Sequence, residues 1–465
     1  MLQVSVLETI DFGLGAAQQE KQLRNYFYRS GSFKLASSDK TYLVLGAKGA
    51  GKSAIFQMLQ ELQKEIPIFH PPNIWVADEP QLRDHWATLK NNGVSSQITL
   101  WRFYVASLIA KVCLEQANLP EELQKAYRRF LVRWSLFAER PTAWQAAKLL
   151  KFTVGFGDFL KTEIPLKIPL AVTEIDYVIF SANQWLDENG ADLWICLDSL
   201  DEAGLNGHSR HDETEDLLSS MMRAVGELIR LKRIRFKLFF RTDIYHSLTY
   251  VNKDHFSAVK LELRWSKEDL AILLAHRLQN LHPNHEAALT FPVGLDWINQ
   301  IFDWPNQGNL KSFDALYEFM KDGNGDVLPR DLINFCITSQ KSQMSFDIQG
   351  VNPPKANKLI SSPAIRDSFI QTAAFKLKDF LQVFQNFSET YDQIKGSQSS
   401  AFNRADLSIA LGKNDPLDAN LVIADLVRVG ALAIKDKRSV NQSDNFEIPF
   451  LYALALEIGD THERI

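Results

Sequence analysis

Cysteine is scarce in this chain of 465 residues: Cys113, Cys196 and Cys336 lie far apart, with no paired spacing. That excludes a disulfide framework and reads as buried thiols in a reducing compartment. Long apolar runs are missing too, with no stretch of about 18 uncharged apolar residues. The first nine residues have neither a basic opening nor an apolar core, so no export signal and no membrane partner are expected, and a cytoplasmic setting is. Neither sign of charge dominates: 51 Lys and Arg face 56 Asp and Glu, a net charge of −5. Nucleic acid or anionic lipid therefore meets no global attraction, and any such binding has to be local. No internal repeat of solenoid type occurs. Apolar residues make up 46% of the chain, ample for two or three buried cores.

Against these absences one motif stands out. Gly46-Ala47-Lys48-Gly49-Ala50-Gly51-Lys52-Ser53 follows an apolar stretch, 41–45, and precedes a stretch, 54–62, with apolar residues at helical spacing. Glycines let successive backbone N–H groups turn inward on phosphates, Lys52 adds a mobile positive charge, and the helix that follows offers its positive end. Ser53 supplies a hydroxyl for Mg²⁺. The chain is read as a nucleotide binder.

A second signal is the apolar run 193–197 ending in Asp198, followed by Ser199, Leu200, Asp201 and Glu202. A buried parallel strand reads as a continuous apolar run, and ligands gather at its carboxyl end. A helix over 211–231 and an apolar strand over 235–240, ending in Arg241, come next, with a further strand at 259–263. Strand and helix alternating around a phosphate loop predict an α/β fold, a P-loop NTPase with a three-layer parallel sheet. From Ser266, a helix N-cap, the pattern becomes helical, and Gly350 with Pro353-Pro354 marks a linker over 343–357. Beyond it two helices (404–411 and 418–429) and a hairpin (431–435 with 445–448) follow the order of a winged helix-turn-helix. The expected domains are a lead-in, 1–40; a P-loop ATPase core, 41–265, with a helical insertion over about 85–190; a helical lid, 266–342; and a winged-helix-like domain, 358–465.

Phosphoryl transfer to water needs cradled phosphates, a held Mg²⁺, an oriented water and positive charge where the transition state gathers negative charge. Lys52 and the amides of residues 46–53 cradle; Ser53 and Asp198 hold the metal, directly or through water; Asp201 or Glu202 orients the water. Both acids also suit a helix N-terminus, where they complement the macrodipole. Arg241, at the carboxyl end of a core strand that lies beside the phosphate-loop strand or one removed from it, is either a γ-phosphate sensor or an ion pair closing the strand end. Arg330, in Leu328-Pro329-Arg330-Asp331-Leu332, either reaches over the nucleotide or is an exposed helix-start arginine.

The pair GAKGAGKS and WICLDSLDE, with FKLFFRTDI and VLPRDLINF after it, resembles STAND-type and KAP-like ATPases, a signalling branch of P-loop ATPases related to AAA+ proteins. The likeness extends over nearly the whole chain and is weakest over 118–170. It implies ATP as the nucleotide, Asp198 serving Mg²⁺, Asp201 or Glu202 serving hydrolysis, Arg241 and Arg330 as sensors, and a switch in bacterial defence or signalling. Two departures matter: the C-terminal repeats common in STAND regulators are missing, and so are KAP-type membrane spans. A protein partner or self-assembly is then expected to supply the input.

The tail separates the functions. A DNA-reading helix should be basic and polar, yet residues 418–429 carry two acids and one base. A partner-facing or intramolecular role is favoured, and an initiator- or loader-like DNA-acting AAA+ ATPase is the alternative. Basic tracts at 125–133 and 230–237 suit a nucleic-acid track, acidic neighbours in an oligomer, or solvent. His208 with His211, and His282 with His285, read as loop histidines rather than metal ligands.

Overall fold

The computed structural model describes residues 7–8, 10–15, 20, 23–65, 73–77, 93–133, 164–198, 211–250, 253–278, 291–305, 309–310, 312–384, 387–395, 397–412, 415–436 and 438–465. The chain divides into two units. One, the sheet unit, comprises Gly31–Ala47 and Lys52–Leu263; the other, the helical unit, comprises Met1–Ser30, Lys48–Gly51 and Arg264–Ile465.

In the sheet unit, β1 (Leu43–Gly46), β2 (Asn73–Ala77), β3 (Asp192–Leu197), β4 (Ile234–Arg241) and β5 (Lys260–Glu262) form a parallel sheet in the order β2-β3-β4-β1-β5. Every residue of β1 and β3 is buried, and all but Arg235 of β4. That is what a strand covered on both faces requires. Helices α1 (Lys52–Glu65), α2 (Gly93–Leu114), α3 (Glu121–Arg133), α4 (Ile164–Glu188) and α5 (His211–Leu228) supply the cover. Alternate residues of a strand point to opposite faces. Leu238 and Phe240 join the core that holds Phe103, Ile109, Ile179 and Met222 from α2, α4 and α5. Phe239, between them, meets Phe56 of α1 edge to face, with ring centroids 5.6 Å apart. Helix, sheet and helix thus make three layers. Residues 97–114 of α2 are apolar and long enough to cross a membrane by length and composition, yet 71% of that stretch is buried inside the unit.

The helical unit begins its main run with α6 (Lys267–Leu278), where the Ser266 hydroxyl accepts from the N–H of Asp269 at 3.0 Å, an N-cap as the sequence indicates. After α7 (Phe291–Ile301) and α8 (Phe313–Met320) comes α9 (Pro329–Gln349), with proline in its first turn, where its missing N–H costs nothing. Helix α9 overruns the expected linker start at 343. It stops at Gly350, whose φ of +68° suits glycine and whose N–H bonds back to Phe346 and Asp347. Gln343 is buried and donates to Asp347, while its carbonyl oxygen accepts from the N–H of Ser361 at 2.8 Å. One bond within the helix and one from the start of the next helix hold as helix a stretch that composition marks as a connector.

Helix α10 (Ser362–Val383) packs along α9. It leads to α11 (Ser388–Ile394), β6 (Ala401–Asn403), α12 (Arg404–Ala410), α13 (Pro416–Arg428), β7 (Ala433–Ile434), β8 (Asn445–Glu447) and α14 (Phe450–Ala455). The three strands form an antiparallel sheet in the order β6-β8-β7. Arg404 locks this module. It donates to the carbonyls of Ser443 and Val440 and to Asn420 Oδ1, and its guanidinium lies 5.2 Å from the Phe446 ring.

Candidate functional site

Gly46 ends β1 and Lys52 begins α1, so the loop between them bridges strand and helix. Gly49 and Gly51 have φ of +93° and +96°, a region that a β-carbon makes costly. Lys52, 8% exposed, donates from Nζ to the carbonyls of Gly46 at 2.8 Å and Ala47 at 3.1 Å. The ammonium is thereby turned onto the loop's own backbone. Ser53 lies in the first turn of α1.

Strand register places the next groups. Gly46 pairs with Arg241, and Leu43 with Leu238, which in turn pairs with Leu197. Arg241 therefore stands beside the first glycine of the loop, on the strand adjacent to β1, which settles whether it is adjacent or one strand removed. Asp198, 6% exposed, follows the last residue of β3 at the same carboxyl edge of the sheet. Arg241, 4% exposed, is held by Asp243, with Nη2 to Oδ2 at 2.5 Å and Nε to Oδ1 at 3.1 Å. The strand-closing ion pair is thus real, and it fixes the guanidinium's plane. Asp201 and Glu202 lie outside the described residues, as do His208, His282, His285 and the side chain of His211.

In the helical unit, the N–H of Arg330 donates to the carbonyl of Gly49 at 3.4 Å. Its side chain crosses that glycine so closely that a methyl group there would lie 3.0 Å from Arg330 Cβ. Arg330 Nε donates to the carbonyl of Gly15 at 3.1 Å and Nη1 to Asp379 Oδ2 at 3.3 Å. Trp265 Nε1 donates to the carbonyl of Ala50 at 2.9 Å. Lys48, exposed, stands 3.7 Å from Asp379. Asp243, Trp265 and Asp379 were not legible as site residues. Asp243 follows Arg241 closely enough to have been a signal, whereas nothing in sequence marks Asp379.

The donor set suits Mg²⁺. A hydroxyl and a buried carboxylate are hard oxygen ligands, and an ion shared with phosphates and water needs only one or two of them. Among the described residues no group of three or more His, Cys, Asp or Glu is placed to hold a metal.

Four of the five basic residues of the tract 230–237 are engaged inside the sheet unit. Lys232 and Arg233 bond Asp187, Arg233 and Arg235 bond Asp192, and Lys237 is buried. The acidic neighbours of Lys232, Arg233 and Arg235 thus belong to this same chain.

A phosphate loop between the first strand and first helix of a parallel sheet decides the architecture. The fold is that of an α/β P-loop NTPase. No family model matches the chain. It is 24% identical over 462 residues to the transposon gamma-delta 80.3 kDa protein of Escherichia coli (strain K12), covering 92% of this chain and 62% of that protein. The chain thus spans under two thirds of that relative. Three solved structures are similar in outline. The ORC2 protein of Aeropyrum pernix, in ADPNP-ADP complexes, is 12% identical with a TM-score of 0.37, over 93% of this chain and 90% of that one. Cdc6p from Pyrobaculum aerophilum is 11% identical at 0.30, over 90% and 86%. Drosophila ORC bound to DNA is 10% identical at 0.29, over 98% and 90%. With TM-scores below 0.5, these likenesses carry no argument about this chain.

Proposed function

We propose that the chain is an ATP-binding and ATP-hydrolysing switch of the STAND/AAA+-like type. The observation that carries the reading is the carboxyl edge of the parallel sheet, where Gly46, the first residue of the phosphate motif, pairs with Arg241 and Asp198 follows the end of the neighbouring strand β3. The loop amides and Lys52 take the phosphates, Lys52 leaving the carbonyls of Gly46 and Ala47 for phosphate oxygens. Ser53 and Asp198 would hold Mg²⁺, directly or through water, and the ion would supply charge neutralisation to the phosphates. Asp201 or Glu202 orients the attacking water. Arg241, with its plane fixed by Asp243, meets the charge that grows on the γ-phosphate. Arg330, lying across Gly49, is the residue by which the helical unit senses the loop's occupant.

The order α11, β6, α12, α13, β7, β8 is that of a winged helix, and we assign it that role. In the position of a recognition helix, α13 exposes Leu417 (68%) and Leu421 (61%), and Ile409 of α12 is 75% exposed. Apolar exposure of this kind fits a protein partner better than a phosphate backbone. Likeness to a transposon protein supports a setting in a bacterial mobile or defence element.

ATP turnover by the purified chain, with Lys52→Ala and Glu202→Gln beside it and double-stranded DNA added across a salt series, tests the reading. Turnover abolished in Lys52→Ala and indifferent to DNA is expected. Turnover unchanged in Lys52→Ala would sink the ATPase reading, and strong salt-sensitive stimulation by DNA would replace the switch with the DNA-acting AAA+ alternative.

A further inference from the structure

Two ion pairs join the start of α9 to α10, and they differ in kind. Asp331 and Lys376 meet at 2.5 Å, with side chains 10% and 6% exposed. Separating them would strand a buried charge, so this pair behaves as a fixed rivet. One residue earlier on α9 and three later on α10, Arg330 meets Asp379 at 3.3 Å, with side chains 25% and 45% exposed. The oxygen that Arg330 contacts, Asp379 Oδ2, also lies 3.7 Å from Nζ of Lys48 in the phosphate loop. One carboxylate oxygen thereby faces two cations, one carried by the loop and one lying across Gly49. Solvated pairs of this kind are weak and exchange readily. Guanidinium and ammonium groups bind phosphate oxygens more strongly than they bind a solvated carboxylate, because phosphate offers more charge and more acceptors.

We propose that Asp379 is an anion mimic: it holds Lys48 and Arg330 until a nucleoside triphosphate seats on the loop, whose phosphate oxygens then take both cations and release Asp379. The inference rests on the nucleotide reading given above. Helix α10 runs from this carboxylate into α11 and the β6-to-β8 module. Release of Asp379 loosens one corner of the α9–α10 junction while the Asp331–Lys376 rivet keeps the other hinged. In this way phosphate occupancy reaches the C-terminal module through α10, within the helical unit itself.

The test is an equilibrium titration of the full chain with a fluorescent non-hydrolysable ATP analogue. It compares the wild type with Asp379→Asn, Asp379→Glu, Lys52→Ala and Asp392→Asn, an exposed acid on α11 that serves as a charge control. Asp379→Asn is expected to bind about three- to tenfold more tightly, the value of one or two exposed pairs. Asp379→Glu and Asp392→Asn should stay near wild type. Hydrogen exchange over 376–395 should rise in the wild type on adding the analogue and be already high in Asp379→Asn. Affinity unchanged or weakened in Asp379→Asn, or raised equally in Asp392→Asn, would overturn the proposal. Loss of binding in Lys52→Ala together with wild-type behaviour of Asp379→Asn sinks the mimic and leaves the nucleotide site standing. Wild-type binding in Lys52→Ala sinks both.

Discussion

Lys237 sits fully buried in the middle of β4, and its removal has a consequence whose size depends on pH. Its ammonium donates to the carbonyls of Ala36 at 2.6 Å, Ser38 at 2.9 Å and Thr41 at 2.9 Å, and lies 4.6 Å from the Trp194 ring centroid. It thus staples the segment that leads into β1 and the phosphate loop. Burial pulls its pKa from 10.5 to about 8, against the opposing pull of Cys196 and Asp39. That depression is worth about 3 kcal/mol. Because the folded value lies below the unfolded one, the unfolded chain binds more protons between these two pH values. Stability is therefore lost as pH falls through the folded pKa and regained as pH rises, about 2 kcal/mol of it between pH ~7 and ~9.5. Lys237→Met removes that charge but orphans three carbonyls, at roughly 1.5 kcal/mol each. The net loss is then about 1 kcal/mol at neutral pH and about 3 kcal/mol near pH ~9.5. Urea unfolding of both proteins at the two pH values, followed by tryptophan emission, measures the gap. Buried tyrosines such as Tyr127 and Tyr250, whose pKa values are raised by burial, act in the opposite direction but cancel between the two proteins. A gap that stays constant with pH would show that the three carbonyls keep the group an ammonium throughout and would refute the burial argument.

Arg241→Ala should cost about 3 kcal/mol by stranding the mostly buried Asp243, and turnover should fall by about 100-fold or more. Adding Asp243→Ala should restore stability without restoring turnover; recovery of both would reduce Arg241 to a structural ion pair. Gly49→Ala, at a φ of +93°, should lose about tenfold in ATP affinity from backbone strain alone. It should lose more than Gly51→Ala, whose added methyl would face only Trp265 at 3.7 Å; equal losses would mean that Arg330 gives way freely. Arg404→Ala should destabilise the C-terminal module by about 2–3 kcal/mol, read as faster hydrogen exchange across β7 and β8, and unaltered exchange would contradict its role as a lock.

What was legible in the sequence follows from how each feature is encoded. Strands β1, β3 and β4 are buried on both faces; β1 and β3 read as near-continuous apolar runs and β4 as one interrupted by Lys237, and the end of each falls within a residue or two of the observed one. The phosphate loop is local chemistry and needs no tertiary information. By contrast, the pairing of β4 with β1 is a nonlocal choice, and sequence left open whether Arg241 stood beside the loop or a strand away. Lys237 broke an apolar run, and only the three carbonyls that accept from it explain why a charge is tolerated there. β6 has three residues, too few for a period of two to declare itself. Asp379 is one acid among many on polar helix surface, and its meaning comes entirely from Arg330 on the preceding helix and from Lys48, far away in the chain.

The electrostatics of the C-terminal module set a limit on any role in DNA binding. Arg404 is spent on the carbonyls of Val440 and Ser443. Arg428 is bonded to Asp425 at 2.9 Å and Lys435 to Glu447 at 2.5 Å. With Lys437 and Arg438 counted as well, α13 and the β7–β8 turn carry four cations, set among Asp415, Asp418, Asp425, Asp436 and Asp444. Each phosphate neutralised contributes about −0.9 to the slope of log affinity against log salt, so contact through this face can be no steeper than about −4. Fluorescence anisotropy of a labelled duplex across a salt series gives that slope directly. A shallow slope with weak affinity is expected, and it should persist in Leu417→Ala and Leu421→Ala, since apolar side chains release no counterions. A slope near −8 or steeper would require a basic surface elsewhere in the chain, and would make DNA a partner that the winged module does not itself explain.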